Sequence, residues 1–262
     1  HAFAKRPTFA AYDHLPHEEL VAKLRDPKVR KSILEEGDAP TDPTILFDGM
    51  ARLIQAMTHR LYPLGAIPDY EPAPDQSIVA IAERTGASPL EVLYDYMLED
   101  GGHAMAMMPI FNYVNGNHDA IREMLLHPQA VSGLSDGGAH CGMICDASIP
   151  TFMLSHWARD RSRGEKLPLE WVVKKQTNDT ATLYGLTDRG VVKEGKRADL
   201  NVIDFSTLNL SGPKMAHDLP AGGRRLLQEA NGYDYTIVAG QITRKQGEDT
   251  GLRPGRLIRG AK

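Results

Sequence analysis

The chain has 262 residues, 42% of them apolar and 24% charged, with a net charge of −4 and a pI of about 6.2. These values exclude whole-chain disorder and a basic nucleic-acid footprint, and no apolar run is long enough for a transmembrane helix. Two cysteines, Cys141 and Cys145, are too few for a disulfide scaffold and point to a reducing, cytoplasmic setting.

The chain opens with HAFAKRPTFA, which starts on His in place of Met and lacks the apolar core of a signal peptide. PHEELVAKLRDPKVRKSILEEG reads as two helices, with Asp26-Pro27 as cap and first helical residue and Gly37 as the stop. DAPTDP (38–43) is loop, and the apolar run over 44–60 leads into HRLYPLG, which reads as a strand. After the loop DYEPAPDQ (69–76), SIVAIAERTG (77–86) is a helix capped by Ser77 and stopped by Gly86. SPLE (88–91) is a capping box with Pro at the first helical position, opening a helix to about Glu99. HAMAMMPIF (103–111) reads as a buried strand, NHDAIREMLLHP (117–128) as a helix capped by Asn117, and AVSGL (130–134) as a strand again. PTFMLSHWARDRS (150–162) and PLEWVVKKQTNDTATLYGL (168–186) are helices. Helices alternating with short buried strands are the pattern of a parallel α/β sheet or barrel. Past residue 188 the pattern becomes purely β, with a strand in DLNVIDF and a hairpin in YDYTIVAGQITRKQ around Ala239-Gly240. The expected division is an α/β part over 1–188 and a small β part over 189–262.

Asp136 ends the run SGLSD and precedes Gly-Gly (SGLSDGGAH, 132–140). At the C-terminal end of a barrel strand it would sit on the face where barrel enzymes carry their chemistry. The residues alone equally allow a turn or cap Asp. His140, Cys141 and Cys145 follow, but a lone Cys-x3-Cys with one His is no standard zinc spacing, and two reduced thiols are the simpler reading. Asn112 and Asn115, in FNYVNGN, follow the strand at 103–111. Asn115-Gly116 reads as turn chemistry, while Asn112 stays open between turn and substrate contact. His156 and Asp160 share one side of a helix in a surface or packing role, and His59, His103, His118 and His127 carry no motif. No phosphate-binding glycine loop and no G-x-S-x-G elbow is present.

Taken together, SDGGAH at a strand end, the helix LEWVVKKQTNDTATLYGL, then DRGVVKEGKRADLNVIDF and the closing GEDTGLRPGRLIRG form a distinctive series. It resembles the C-terminal portion of the metal-dependent amidohydrolases, in particular the D-aminoacylase-like (N-acyl-D-amino-acid deacylase) group. The resemblance is carried by Thr177 and Ala181, by Arg189-Gly190, Gly195 and Ala198-Asp199, and by residues 247–260. It implies the C-terminal part of a (β/α)8 TIM-type barrel followed by a small β-sandwich segment. It implies that Asp136 is a metal ligand and the catalytic acid/base beside a metal-activated water, and it places Asn112, His140 and Asp146 near a small-molecule amide substrate. The implied cofactor is zinc, one or two ions in the complete enzyme.

The sequence also departs from the group. It contains no His-x-His, and CDASIPT stands where the deacylases carry a His-Pro-Arg stretch. One carboxylate cannot fix a catalytic zinc, which takes three protein ligands and an open position. The expectation is therefore a truncated chain whose site is completed by the N-terminal part of the barrel, in the same protein or as a separate chain. The alternatives are a non-enzymatic binding or structural module, with a homo-oligomer covering the raw sheet edges, and a cyclic-amide hydrolase of the dihydropyrimidinase-like kind. Neither a nucleic-acid partner nor a membrane is expected.

Overall fold

The fold is described from a computed structural model, which defines residues 1–42, 44–45, 48–133 and 141–259. These residues separate into two compact units, one of 1–65 with 69–117, the other of 66–68 with 118 to the C-terminus. The α/β stretch before residue 188 is thus shared between both units, and its last third belongs with the β segment.

The first unit is mostly helical. Its helices are α1 (Pro7–Ala10), α2 (His17–Leu24), α3 (Pro27–Glu35), α4 (Met50–Ala56), α5 (Ile78–Thr85) and α6 (Pro89–Met97). The local signals explain where they start and stop. The Asp26 carboxylate accepts from the Lys28 amide at 2.7 Å, with Pro27 in the first turn. Ser77 accepts from the Ala80 amide, and Gly86 ends α5 in the left-handed conformation. Ser88 and Glu91 close a reciprocal capping box on α6. The apolar faces of these helices meet in one core, where Ile33, Ile78 and Leu93 are fully enclosed with Phe3, Leu61 and Tyr94. Each such side chain contributes about 1.5–3 kcal/mol through burial. The Tyr94 hydroxyl donates to the Leu24 carbonyl at 2.8 Å inside this core.

The expected strand over 103–111 contracts to β2 (Ala106–Met107), paired with β1 (Tyr62–Pro63). The pairing is antiparallel, not the parallel pairing that the helix–strand alternation suggested. The sequence bounds it on both sides. Gly101 and Gly102 take positive φ just before it, and Pro109 just after it has no amide to extend a ladder.

The second unit begins with α7 (Asp119–Leu126), one residue later than a cap at Asn117 would give. Residues 130–133 of the expected AVSGL strand are not in a strand. The two long helices that follow are each interrupted by π-helical turns. One runs as α8 (Ile149–Phe152) into a π-helical stretch at Met153–Asp160. The other runs as α9 (Leu169–Lys174), a π-helical stretch at Lys175–Asp179, and α10 (Thr180–Leu183). Met153, Trp157, Leu167 and Val172 form the core between them.

The β segment holds β3 (Leu200–Ile203), β4 (Asn209–Leu210), β5 (Lys214–Leu219), β6 (Gly223–Leu227), β7 (Ala230–Asn231), β8 (Tyr233–Val238), β9 (Gln241–Lys245) and β10 (Glu248–Asp249). The sheet order is β10-β9-β8-β3, all antiparallel, with β5–β6 and β4–β7 as separate pairs. The β8–β9 turn is Ala239-Gly240, both at positive φ. An alanine there is costly, and a clamp holds it. Asp199 accepts from the Ala239 amide at 2.8 Å, and its two oxygens also take Arg197 and Arg189 at 2.8 and 3.0 Å. The Ala198 carbonyl receives the Gly240 amide. At Gly190, φ 90°, an added Cβ would lie 2.9 Å from the Ala181 Cβ and 3.1 Å from the Asn178 Cα. The Arg-Gly and Ala-Asp pairs therefore fasten the end of the helical part to the sheet. Among the described residues no helix is long and apolar enough to cross a membrane.

Candidate functional site

Asp136 and His140 lie in 134–140, outside the described residues. Both flanks of that stretch are described, and both are tethered. Upstream, Lys175 is only 7% exposed, and a buried ammonium needs a partner. It donates to the Ala130 carbonyl and lies 5.3 Å from the Trp171 ring centre. Thr180, five residues on, donates its hydroxyl to the Lys175 carbonyl at 2.9 Å and reaches the Ser132 carbonyl at 3.5 Å. Thus Lys175 in the π-helical turn and Thr180 at the start of α10 present two donors to the backbone at Ala130 and Ser132.

Downstream, the Cys141 carbonyl accepts the Leu226 amide at 2.6 Å. Ser148 donates to Gln228 at 2.5 Å, and the Cys145 sulfur lies 3.9 Å from the Leu226 carbonyl. Residues 141–148 are pinned in this way along β6. Burial pushes the Cys145 thiol up, with the Asp146 charge adding to the shift, so the sulfur is protonated at neutral pH. Both cysteines are free of disulfides.

Asp146 opens a single 3-10 turn, Asp146–Ser148, in the second unit. Asn112 belongs to the first unit, where it is exposed with φ 57°. Nearby, the Gly116 amide closes a turn onto the Tyr113 carbonyl, as Asn115-Gly116 suggested. Asp160 does not pair with His156. Its carboxylate takes both forks of Arg159, at 2.6 and 2.7 Å.

Two imidazoles of the second unit, His118 and His156, have ring nitrogens within 4.8 Å of one another. No sequence pattern links them, because His118 is the N-cap residue of α7 and His156 lies on the helix that follows it. The buried carboxylate Glu71, 2% exposed, belongs to the first unit, where its amide bonds to Asp69 at 2.8 Å.

The sequence profile of the amidohydrolase family matches residues 1–244, nearly the whole chain. The chain belongs to the amidohydrolase family. Among solved structures, the chain is similar to a crystal structure of D-aminoacylase, described as defining a novel subset of amidohydrolases. The two are 26% identical over 74% of this chain and 36% of that one, with a TM-score of 0.37. The chain thus spans about a third of that protein's length. The comparison with curated proteins gives no match.

Proposed function

We propose that this amidohydrolase is part of a zinc-dependent enzyme that hydrolyses the C–N bond of a small-molecule amide, an N-acyl amino acid of the D series. The observation that carries the reading is the family match over residues 1–244, within which SDGGAH stands. Zinc, when bound, would lower the pKa of a bound water towards 7 and polarise the amide carbonyl. The role proposed for this chain belongs to Asp136. Its carboxylate takes a proton from the attacking water and returns it to the leaving amine nitrogen, which departs as a neutral amine. His140, Asp146 and Asn112 are proposed to contact the substrate. The reading takes the other metal ligands from barrel strands that precede this part of the sequence, in the same protein or in a second chain. A cytoplasmic setting and small-molecule partners go with it.

The supporting geometry is the tethering on either side of residues 134–140. A general base has to be held within hydrogen-bond reach of the proton it moves, which calls for neighbours locked by packing and hydrogen bonds. The test is the zinc-loaded complete enzyme assayed for amine release from N-acetyl D- and L-amino acids. Asp136→Ala should lower turnover by at least about a hundredfold, the usual scale of a positioned acid/base. Circular dichroism should stay unchanged. Undiminished hydrolysis by Asp136→Ala would remove the assigned role.

A further inference from the structure

His118 is the last residue before α7, and its side chain makes no capping bond to that helix. His156 stands on the π-helical stretch Met153–Asp160. Such turns rotate side chains away from their α-helical bearing and recur at functional sites. Here the rotation brings the two rings to 5.8 Å between centroids, at 76° to each other. Each imidazole is also backed by an aromatic face. Phe152 stacks on His156 at 4.5 Å and 10°, and Trp157 stacks on His118 at 5.8 Å and 25°.

The backing is itself anchored. Trp157 is 2% exposed, and the Arg161 guanidinium lies 4.7 Å from its ring centre. Arg161, 1% exposed, donates to Asp119 at 2.7 Å and to the Glu165 carbonyl at 2.8 Å. Asp119 is the residue next to His118. The same arginine therefore ties the end of the π-helical stretch to the start of α7, fixing the spacing of the two histidine backbones.

We propose that His118 and His156 supply two imidazole ligands to a site for a late first-row divalent cation, Zn2+, Ni2+ or Cu2+. Imidazole nitrogen suits these ions and not Mg2+ or Ca2+. Metal–nitrogen bonds of about 2.0–2.1 Å put two ligand nitrogens about 3.4 Å apart in a tetrahedral shell. Nitrogens already within 4.8 Å reach that spacing by side-chain rotation. The site is independent of the amide-hydrolysis reading and of Asp136.

The test is calorimetric titration of the metal-free chain with Zn2+, and nitrogen hyperfine structure in the electron paramagnetic resonance of bound Cu2+. One equivalent should bind, with two nitrogen couplings, and binding should weaken as pH falls through the histidine range because protons compete for the same lone pairs. His118→Asn and His156→Asn should each weaken binding at least tenfold while retaining the wild-type circular dichroism. If a histidine variant unfolds, the two-nitrogen spectrum of the wild type carries the test alone. Asp136→Asn should leave the affinity unchanged. No binding by the wild type, a spectrum without two nitrogens, or full affinity in a folded histidine variant would overturn the proposal. So would loss of binding in Asp136→Asn, since the ion would then belong to the Asp136 centre.

Discussion

The buried polar side chains show how context sets a residue's chemistry. Tyr94 is enclosed in the first core and donates to the Leu24 carbonyl. Burial holds its phenol protonated and pushes its pKa up to about 12, against a partial opposing effect of Arg30. A pKa raised on folding supplies stability that is complete below the ordinary tyrosine value near 10 and is lost as pH rises from 10 to 12. Tyr94→Phe should remove that alkaline dependence and cost about 1 kcal/mol at neutral pH, the net value of one hydrogen bond. Urea unfolding at pH 7 and at high pH measures both. An unchanged alkaline slope in Tyr94→Phe would place the dependence elsewhere. Such burial was not visible in the sequence. Tyr94, Arg161 and Lys175 owe it to partners 42 to 70 residues away, at Leu24, Asp119 and Ala130.

At the scale of elements, short-range signals were legible and long-range ones were not. The caps at Asp26, Ser77 and Ser88 act within three residues, so the sequence alone places the starts of α3, α5 and α6. The hairpin at Ala239-Gly240 is equally local. The π-helical turns are not, because they answer to packing between two helices around Trp157 and Val172. Asp199 shows a motif residue whose role is a clamp. Asp199→Ala should strip the Ala239 amide of its acceptor and free Arg189 and Arg197, a loss of about 1–2 kcal/mol for a half-buried group. Hydrogen exchange should show faster exchange at Ala239 and Gly240, with the first unit unaffected. Asp199→Asn keeps one acceptor and should lose less. Equal protection in Asp199→Ala would mean that the β8–β9 ladder holds the turn unaided.

For the whole molecule, the sequence suggested an α/β part followed by a small β part, and it led to the amidohydrolase family through motifs spread over the chain. The change from mixed to purely β patterning near residue 188 suggested a division there; the compact units change over at 117/118, with 66–68 in the second. Composition follows local structure; contact follows which helix packs on which strand. The stretch before that division carries Phe111, 81% exposed, and Val114, also exposed. Exposed backbone of this kind is where proteases first cut. Brief chymotrypsin treatment should nick the chain after Phe111 ahead of Phe3, Trp157 and Tyr94, all buried. Mass spectrometry of the first fragments reads the order, and a first cut at a buried aromatic would contradict it.

The tethers beside residues 134–140 also impose a timetable. Ala130 and Ser132 wait for Lys175 and Thr180, and Cys141 waits for Leu226, 85 residues later in the chain. At about 5–20 residues per second, synthesis leaves the downstream end of that stretch without its anchor for roughly 4–17 s after it leaves the peptidyl-transfer centre. Cys141 is therefore secured only once β6 has been made, and a ribosome that stalls before β6 holds a nascent chain whose residues from 141 onward lack that anchor.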